Sequence, residues 1–510
     1  MNLLLATLAA PLATAGIGML PGPRRPKEAV LVGGLAATFV LALATAGRFL
    51  AGETPAAFGT ALRVDGLSAL VLVLTAFSGL LSGLYSVGYL ERNERTGFVS
   101  ARKRTELLAL VPAYVAAMLL VAASNNLGVL WIAVEATTLA SVFLVAFQNR
   151  DTSLEAAWKF LVLGSVGLAF ALLGTVLLFA SGEGVLGEDM SALDWTRLFA
   201  HAGQLHPFTV KLAVVFALIG YGTKAGLAPM HTWKPDAYRE APSPAGVLMA
   251  VGMMNCSLYA LLRVHLVSKA VLGPELSGRL LLGLGLASVL VATPFILIQW
   301  NLKRLLAYSS IEHVGIMAVG LGLGGRAAVF GALLHMTYHT LAKPVAFFSA
   351  GTLAQLHRSS DLDEIGGGTL TRTPVTSCLL LLATLMVTGS PPFGLFWSEM
   401  TILKAGFSGP HVAAISVFLA ALVVLFCGFF YQVGRLVLGE GPGLVLGEGP
   451  GLVPGPDAIA PGRLVLPESL DLALGTTLVA AVLAVVSAFY LPAPLVALVR
   501  EAVRVVEPGA

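Results

Sequence analysis

Hydrophobic positions fall in long runs. From Met1 to Tyr490, apolar stretches of about 20 residues follow one another with few polar residues between them, and about 20 residues let a helix cross a ~30 Å hydrocarbon core. The pattern predicts 14 spans, over residues 2–20, 29–50, 64–90, 107–123, 127–147, 157–181, 208–228, 243–266, 278–299, 303–323, 327–354, 374–406, 411–437 and 470–491. The first run begins at Asn2, and its basic residues Arg24, Arg25 and Lys27 come after it. It therefore reads as a first membrane helix and not as a cleaved signal peptide.

Two spans are interrupted. The seventh contains Lys224-Ala-Gly-Leu-Ala-Pro229-Met-His231, and the twelfth contains Gly389-Ser-Pro391-Pro392-Phe-Gly394. Proline at membrane depth frees backbone carbonyls that protein or water must satisfy. Both breaks fall in the fourth helix of a five-helix block, spans 4–8 and spans 9–13. A block with an odd number of crossings repeats upside down, as in many secondary transporters, whose broken helices mark the ion site. The alternative is two unrelated kinks. The expected architecture is thus an all-α polytopic membrane protein with two inverted five-helix repeats, each with a broken fourth helix. Its segments are residues 1–106 (three helices), 107–266 (first repeat), 275–437 (second repeat), 438–469 (a Gly/Pro-rich loop) and 470–510 (a C-terminal helix and tail). The loop includes a tandem octapeptide, LVLGEGPG read twice over Leu436–Gly451, whose Gly and Pro content opposes helix. The run Gly320-Leu-Gly322-Leu-Gly324-Gly325 matches G-x-G-x-x-G only in letters. No strand precedes it, and a dinucleotide site needs a strand-to-helix turn.

Composition narrows the class. Of 510 residues, 57% are hydrophobic and 12% charged, against about 25% charged in soluble domains. So few charges exclude a disordered chain, a nucleic-acid-binding domain and an ordinary soluble enzyme. The three cysteines, Cys256, Cys378 and Cys427, lie in apolar runs without a C-x-x-C pair, so no zinc or iron–sulfur cage is expected. No cofactor and no catalytic redox centre are assigned to this chain. Lysines and arginines in alternate loops, starting from the first, number 18 against 11 in the other loops and the tail. Basic residues concentrate in cytoplasmic loops, which puts both termini outside the cytoplasm. The remaining two, Lys224 and Lys343, are placed inside the membrane.

Ionisable groups within apolar spans are costly and mark function. They are Glu135 in span 5, Lys224 at the first break, Glu312 and His313 in span 10, His335, His339 and Lys343 in span 11, and Glu399 beyond the second break. Burial disfavours the charged form of each group and pairing restores it. A Glu–Lys pair whose partner can move is therefore a proton switch, the role expected of Glu135 and Lys224, with a static ion pair as the alternative. His335, His339 and Lys343 recur every four residues and share one helical face over about 12 Å. Imidazole both accepts and donates protons near neutral pH, so this stripe reads as a relay. Static interhelical hydrogen bonds and a metal site are the alternatives, the latter without the glutamate of H-E-x-x-H or a third ligand. Neighbours Glu312 and His313 cannot share a face, so only one of them is expected at the axis. Glu399 reads as the terminal acid or as a helix cap. His231, Lys234, Asp236 and Glu240 are expected nearer the surface.

The stretch Lys224–Pro244, KAGLAPMHTWKPDAYREAPSP, resembles the proton-translocating antiporter-like membrane subunits. These are shared by respiratory complex I, multi-subunit Na⁺/H⁺ antiporters and group 4 nickel–iron hydrogenases. Further matches are Trp131-Ile-Ala-Val-Glu135-Ala-Thr-Thr-Leu, Leu302-Lys-Arg-Leu-Leu-Ala-Tyr-Ser-Ser-Ile-Glu312-His313-Val-Gly, His335-Met-Thr-Tyr-His339-Thr-Leu-Ala-Lys343 and Pro391-Pro-Phe-Gly-Leu-Phe-Trp-Ser-Glu399. The resemblance covers about residues 65–437, and the E-A-T-T-L and S-S-I-E-H stretches look most like the hydrogenase-4 component F branch. It implies a polar axis in the membrane plane, with Glu135 as charge partner, Lys224 as switch, His335, His339 and Lys343 as central relay and Glu399 at the end. Many members carry a lysine in span 8, four residues before the tyrosine of a Y-x-L-L-R stretch. Here that stretch is Tyr259-Ala-Leu-Leu-Arg263 and the position is Asn255, which orders water but carries no charge. Glu312 or His313 would compensate. The implied function is proton translocation in the plasma (inner) membrane by a subunit of a redox-driven complex. Its partners would be other membrane subunits and peripheral redox subunits of nickel–iron-hydrogenase or NADH/quinone type, with no nucleic acid. The alternative is a subunit of a multi-subunit cation/proton antiporter.

Overall fold

The structure, a computed structural model, describes residues 2–97, 99–187, 189–439 and 467–508. The chain runs through α1 Leu3–Met19, α2 Arg24–Leu50, a small hairpin of β1 Ala56–Ala57 and β2 Leu62–Arg63, α3 Gly66–Arg95, α4 Ala101–Ala123, α5 Leu127–Val145, α6 Asp151–Ser181, α7 Trp195–Ala200, α8 Pro207–Ala225 and α9 Trp233–Glu240. It continues with α10 Ser243–Val247, α11 Met254–Leu272, α12 Glu275–Leu297, α13 Leu302–Leu323, α14 Gly325–His357, the short turns α15 Leu362–Ile365 and α16 Thr369–Arg372, α17 Pro374–Val387, α18 Gly394–Phe407, α19 Val412–Leu438, α20 Leu472–Phe489 and α21 Ala493–Val506. A π-helical turn, Leu248–Met253, joins α10 to α11, so Ser243–Leu272 is one span.

Among the described residues, 11 helices are long and apolar enough to cross a membrane, and α1 and α17 are shorter apolar helices. The chain is a multi-pass membrane protein. Its inner layer is α3, α10–α11 and α13, whose apolar stretches are almost wholly buried. Its outer helices turn large side chains such as Ile132, Phe143, Trp158, Val423 and Val482 outward. A soluble protein rarely exposes so much contiguous apolar surface, whereas lipid is its natural solvent.

Helices occur at the predicted stretches with ends displaced by up to six residues, and predicted span 12 is two helices, α17 and α18. Sequence reading also missed α21, taken above as part of a tail. It buries Leu498, Val499, Ala502, Val503 and Val506, an amphipathic spacing, and packs on α3 and α14. Glu507 at its end pairs with Lys269 and accepts the Gly325 N–H at 3.1 Å. Of the octapeptide repeat, Leu436–Leu438 close α19, Gly439 follows, and the rest lies outside the described residues.

The two five-helix blocks make the same neighbours. In the first, α4 packs on α5, α5 on α6, α6 on both α8 and α9, and α11 on α4. In the second, α12 packs on α13, α13 on α14, α14 on both α17 and α18, and α19 on α12. The starts of α5 and α13 are built alike. Asn126 caps α5 by accepting the Gly128 N–H at 3.0 Å and donates to Asp194 at 3.0 Å. Asn301 caps α13 by accepting the Lys303 N–H at 3.1 Å and donates to Asp361. In each case a capping asparagine satisfies orphan helix donors and is itself held by an aspartate from a distant loop.

Arg263 of α11 ties the inner layer to the hairpin end. Its guanidinium donates to Asp65 at 2.7 Å, Ser68 at 3.0 Å and Tyr259 at 3.1 Å, and it lies 4.3 Å from the Trp195 ring centroid. Removing one partner of a buried ion pair strands the other charge at a cost of about 3 kcal/mol. Asp65→Asn is therefore expected to lower the melting temperature of the detergent-solubilised protein, and a melt identical to wild type would contradict the assignment.

A buried row of ionisable groups at the candidate functional site

The row starts on α5. Glu135 is half-buried and accepts hydrogen bonds from Thr138 Oγ1 at 3.3 Å and from Ser165 Oγ of α6 at 3.4 Å. Lys224, 1% exposed, donates from Nζ to Thr138 Oγ1 at 2.9 Å and lies 4.7 Å from the Phe160 ring centroid. The expected Glu135–Lys224 ion pair is thus a chain of three, Glu135–Thr138–Lys224. A hydroxyl offers one donor and two acceptor lone pairs, so Thr138 serves both neighbours at once. The physical reason is position. The carboxylate keeps contact with the outer edge of α5, the ammonium sits in the interior, and Thr138, one turn along α5, spans the gap.

Lys224 lies in the last turn of α8, which ends at Gly226 with φ +79°. Carbonyls freed by the break need donors, and the next helix provides two. Trp233 Nε1 donates to Thr223 O at 2.9 Å, and Lys234 Nζ donates to Ala225 O at 2.7 Å. In the break itself, the Ala228 N–H donates to Ser288 Oγ of α12 at 2.8 Å. Lys234, expected near the surface, is fully buried, and His231 is 8% exposed. Tryptophan and lysine here bring their polar tips inward to meet the broken helix, which the polar look of the segment concealed. Asp236 stays partly exposed and bonds Arg304 at 2.8 Å, while Glu240 faces a cavity at the helix ends.

The second half of the row lies on α13, α14 and α18. Lys343 donates to Ser309 Oγ at 2.9 Å and Leu306 O at 3.3 Å. His335 Nε2 and His313 Nδ1 share a hydrogen bond of 2.9 Å, and His335 Nδ1 bonds Ser398 Oγ at 2.9 Å. The rings of His335 and His339 are 6.5 Å apart, whereas His313 lies 4.7 Å from His339. The imidazole cluster therefore does not run down α14 alone but includes His313 of α13, which lies between the other two rings. Glu312 and His313 are both buried, and both meet the row, which corrects the expectation of one. His313 bonds His335, while Glu312 lies within electrostatic reach of Lys343 and Glu399. Glu399, on the second turn of α18, lies across the break from Gly389. Asn255 donates to Thr340 at 3.1 Å, and among the described residues its amide oxygen is buried without a partner, as are both ring nitrogens of His339.

Donor atoms of His313, His335 and Glu399 lie within 4.8 Å of one another, a group that takes in His335 of the sequence pair but not His339. A metal ion there would require His335 to give up one of its two hydrogen bonds, to His313 or to Ser398. As it stands, the cluster is a hydrogen-bonded imidazole pair beside a carboxylate. Sequence reasoning also passed over Thr138, Ser309 and Ser398, whose spacing from Glu135, Glu312 and Glu399 was visible but whose role as bridges depends on the facing helix.

Two interrupted helices and a buried row of acid, lysine and imidazole define an antiporter-like membrane subunit. Residues 124–425 match the family model of NADH:quinone oxidoreductase/Mrp antiporter transmembrane segments, and residues 54–98 match that of the N-terminus of NADH-ubiquinone oxidoreductase (complex I) chain 5. The chain belongs to this family of complex I and Mrp antiporter membrane subunits. It is 38% identical over 380 residues to the hydrogenase-4 component F homolog of Methylacidiphilum infernorum, covering 74% of this chain and 78% of that one. It is 32% identical over 434 residues to NADH-quinone oxidoreductase subunit N of Desulforudis audaxviator, covering 83% and 81%. A chain of respiratory complex I from Thermus thermophilus superposes with a TM-score of 0.72 at 25% identity, over 96% of this chain and 97% of that chain.

Losing the bridge hydroxyl leaves a buried ammonium without its acceptor, a loss of about 1–3 kcal/mol. Thr138→Val is expected to lower the melting temperature of the solubilised protein, and Thr138→Ser, which keeps the hydroxyl, to restore it. Equal melts for the two variants would contradict the bridge.

Proposed function

We propose that this chain translocates protons as a membrane subunit of a redox-driven complex of hydrogenase-4 or complex I type. The observation that carries the reading is the buried row itself. Glu135, Lys224, Lys343, His313, His335, His339 and Glu399 gather about the two interrupted helices, with Thr138 bonding Glu135 and Lys224, Ser309 bonding Lys343 and Ser398 bonding His335. Charge in the membrane interior is retained where it moves ions.

In this reading Thr138 couples the ammonium of Lys224 to the carboxylate of Glu135. A shift of charge in a neighbouring subunit draws Glu135 away, and Lys224, desolvated and uncompensated, releases its proton inward. The proton passes to Lys343 and the imidazole cluster, with Ser309 holding Lys343 and Ser398 orienting His335. Glu399 receives it beside the second break. Electrons belong to partner subunits. Relatives named as a hydrogenase-4 component and as an NADH-quinone oxidoreductase subunit support this division of labour.

We read the blocks at residues 107–266 and 275–437 as inverted repeats. Their recurring neighbours, the asparagine–aspartate locks and the two breaks support this, and five crossings between equivalent helices would set them upside down. Both termini then lie on the non-cytoplasmic side of the plasma membrane. A cavity of about 620 Å³ gathers Arg92, Arg150, Arg239, Lys303 and Arg358 at one end of the bundle, and all five belong to loops assigned to the cytoplasm. Lys234, one of the 18 basic residues on that side, is buried in the bundle, and 17 against 11 remain without it. A second reading, cation/proton exchange, is favoured by the Mrp antiporters within the same family model.

In vesicles holding the whole complex, Lys224→Ala is expected to abolish proton translocation while electron transfer through the partners stays measurable. Undiminished translocation would overturn the switch role. A pulse of NaCl or KCl that collapses a pH gradient without redox substrate would instead establish the exchanger. A cysteine placed at Asn2 is expected to react with a membrane-impermeant maleimide on intact cells, and labelling only after lysis would reverse the orientation.

A further inference from the structure

The first break holds one buried cation that the path above leaves idle. Lys234, second residue of α9, has no exposed surface. Its ammonium donates to Ala225 O at 2.7 Å, the carbonyl directly after Lys224. Its aliphatic arm lies against Gly226, where a Cβ would meet the lysine's own side-chain atoms, so the glycine is what admits it. The Tyr238 ring is 6.0 Å from Nζ. The titratable groups within electrostatic reach of it are Lys343 and His339 from α14, His313 from α13 and His231 from the break.

No carboxylate pairs with Lys234 among the described residues. That is unusual, because a cation kept for packing alone is paired when buried. A lysine placed among amines and imidazoles, with an acceptor carbonyl but no counter-charge, is instead suited to alternate between amine and ammonium. The site also lies between the halves of the row. Lys224 precedes the carbonyl that holds Lys234, and Lys343 and His339 lie within electrostatic reach of its ammonium. Asn255, which faces Thr340 of α14 three residues from Lys343, cannot hold a proton.

We infer that Lys234 is the proton carrier that joins the two halves of the row. Its amine takes at Nζ the proton that Lys224 releases. That N–H bond then breaks as the proton passes, directly or through water, to Lys343 Nζ or to a ring nitrogen of His339, whose two ring nitrogens have no hydrogen-bond partner among the described residues. The inference rests on the proton path proposed above.

The test uses the whole complex in membrane vesicles, with vesicle acidification and electron transfer recorded together. Lys234→Gln keeps a donor for Ala225 O without a titrating proton, and Lys234→Arg keeps the charge but cannot release it. Each is expected to cut protons moved per electron to below about one tenth of wild type. Lys234→His is expected to keep translocation with its pH optimum moved to the acid side, since imidazole titrates near about 6.5 and lysine near about 10.4. A structural role would not move that optimum. Asn255→Lys added to Lys234→Gln is expected to restore part of the flux. Where Lys234→Gln does not assemble, the arginine and histidine variants decide. Wild-type translocation in Lys234→Arg, or an unmoved pH profile in Lys234→His, would overturn the inference. If Lys224→Ala also translocates normally, the underlying path fails with it; if Lys224→Ala is inactive, only the role of Lys234 fails.

Discussion

A helix that stops inside a membrane leaves carbonyls with no water to satisfy them, and the rest of the site depends on how α8 meets that demand. The end of α8 is closed by side chains from the helix that follows it. Trp233 caps Thr223 and Lys234 caps Ala225, and both must enter the interior to do so. The break thereby draws a second lysine next to Lys224. The break in α17–α18 works from the other direction, placing Ser398 against His335 and Glu399 beside the imidazoles. Irregular backbone and buried charge are solutions to each other's problem. The open helix ends offer dipoles and acceptors, and the charges fill them.

Hydroxyls set the spacing of the row. Thr138 bonds both Glu135 and Lys224, while Ser309 bonds Lys343 and Ser398 bonds His335, each from a facing helix. A hydroxyl can reverse its bond when its neighbours exchange a proton, which a direct ion pair cannot do without moving both side chains. The π-helical turn before Asn255 belongs to the same design. Such turns often occur at functional positions, and this one directs Asn255 at Thr340, one turn from Lys343.

Much of the fold was legible because lipid enforces a simple code. Runs of about 20 apolar residues gave the helices, and proline within them gave the breaks. The short amphipathic α21 escaped that code, since its pattern is one of faces and not of length. In the site, the charged members were found because they are rare. Errors arose where the decisive fact was a neighbour on another helix. Lys234 reads as polar and loop-like among Pro, Asp and Arg, and only the folded chain shows it pointing at Ala225. Of Glu312 and His313 the sequence admits only one at the axis, until α14 brings His335 within 2.9 Å of His313. Thr138 reads as an ordinary helix residue until Lys224 meets it.

The central claim is a continuous proton path from Glu135 to Glu399 through the interior of both blocks. The most direct measurement is an experimental structure of the whole complex in its membrane subunit's native lipid, at a resolution that places ordered water. The account predicts a file of water linking Lys224, Lys234 and Lys343 and continuing past His339 to Glu399. A dry, apolar gap between Lys224 and Lys343 under both reduced and oxidised conditions would contradict it.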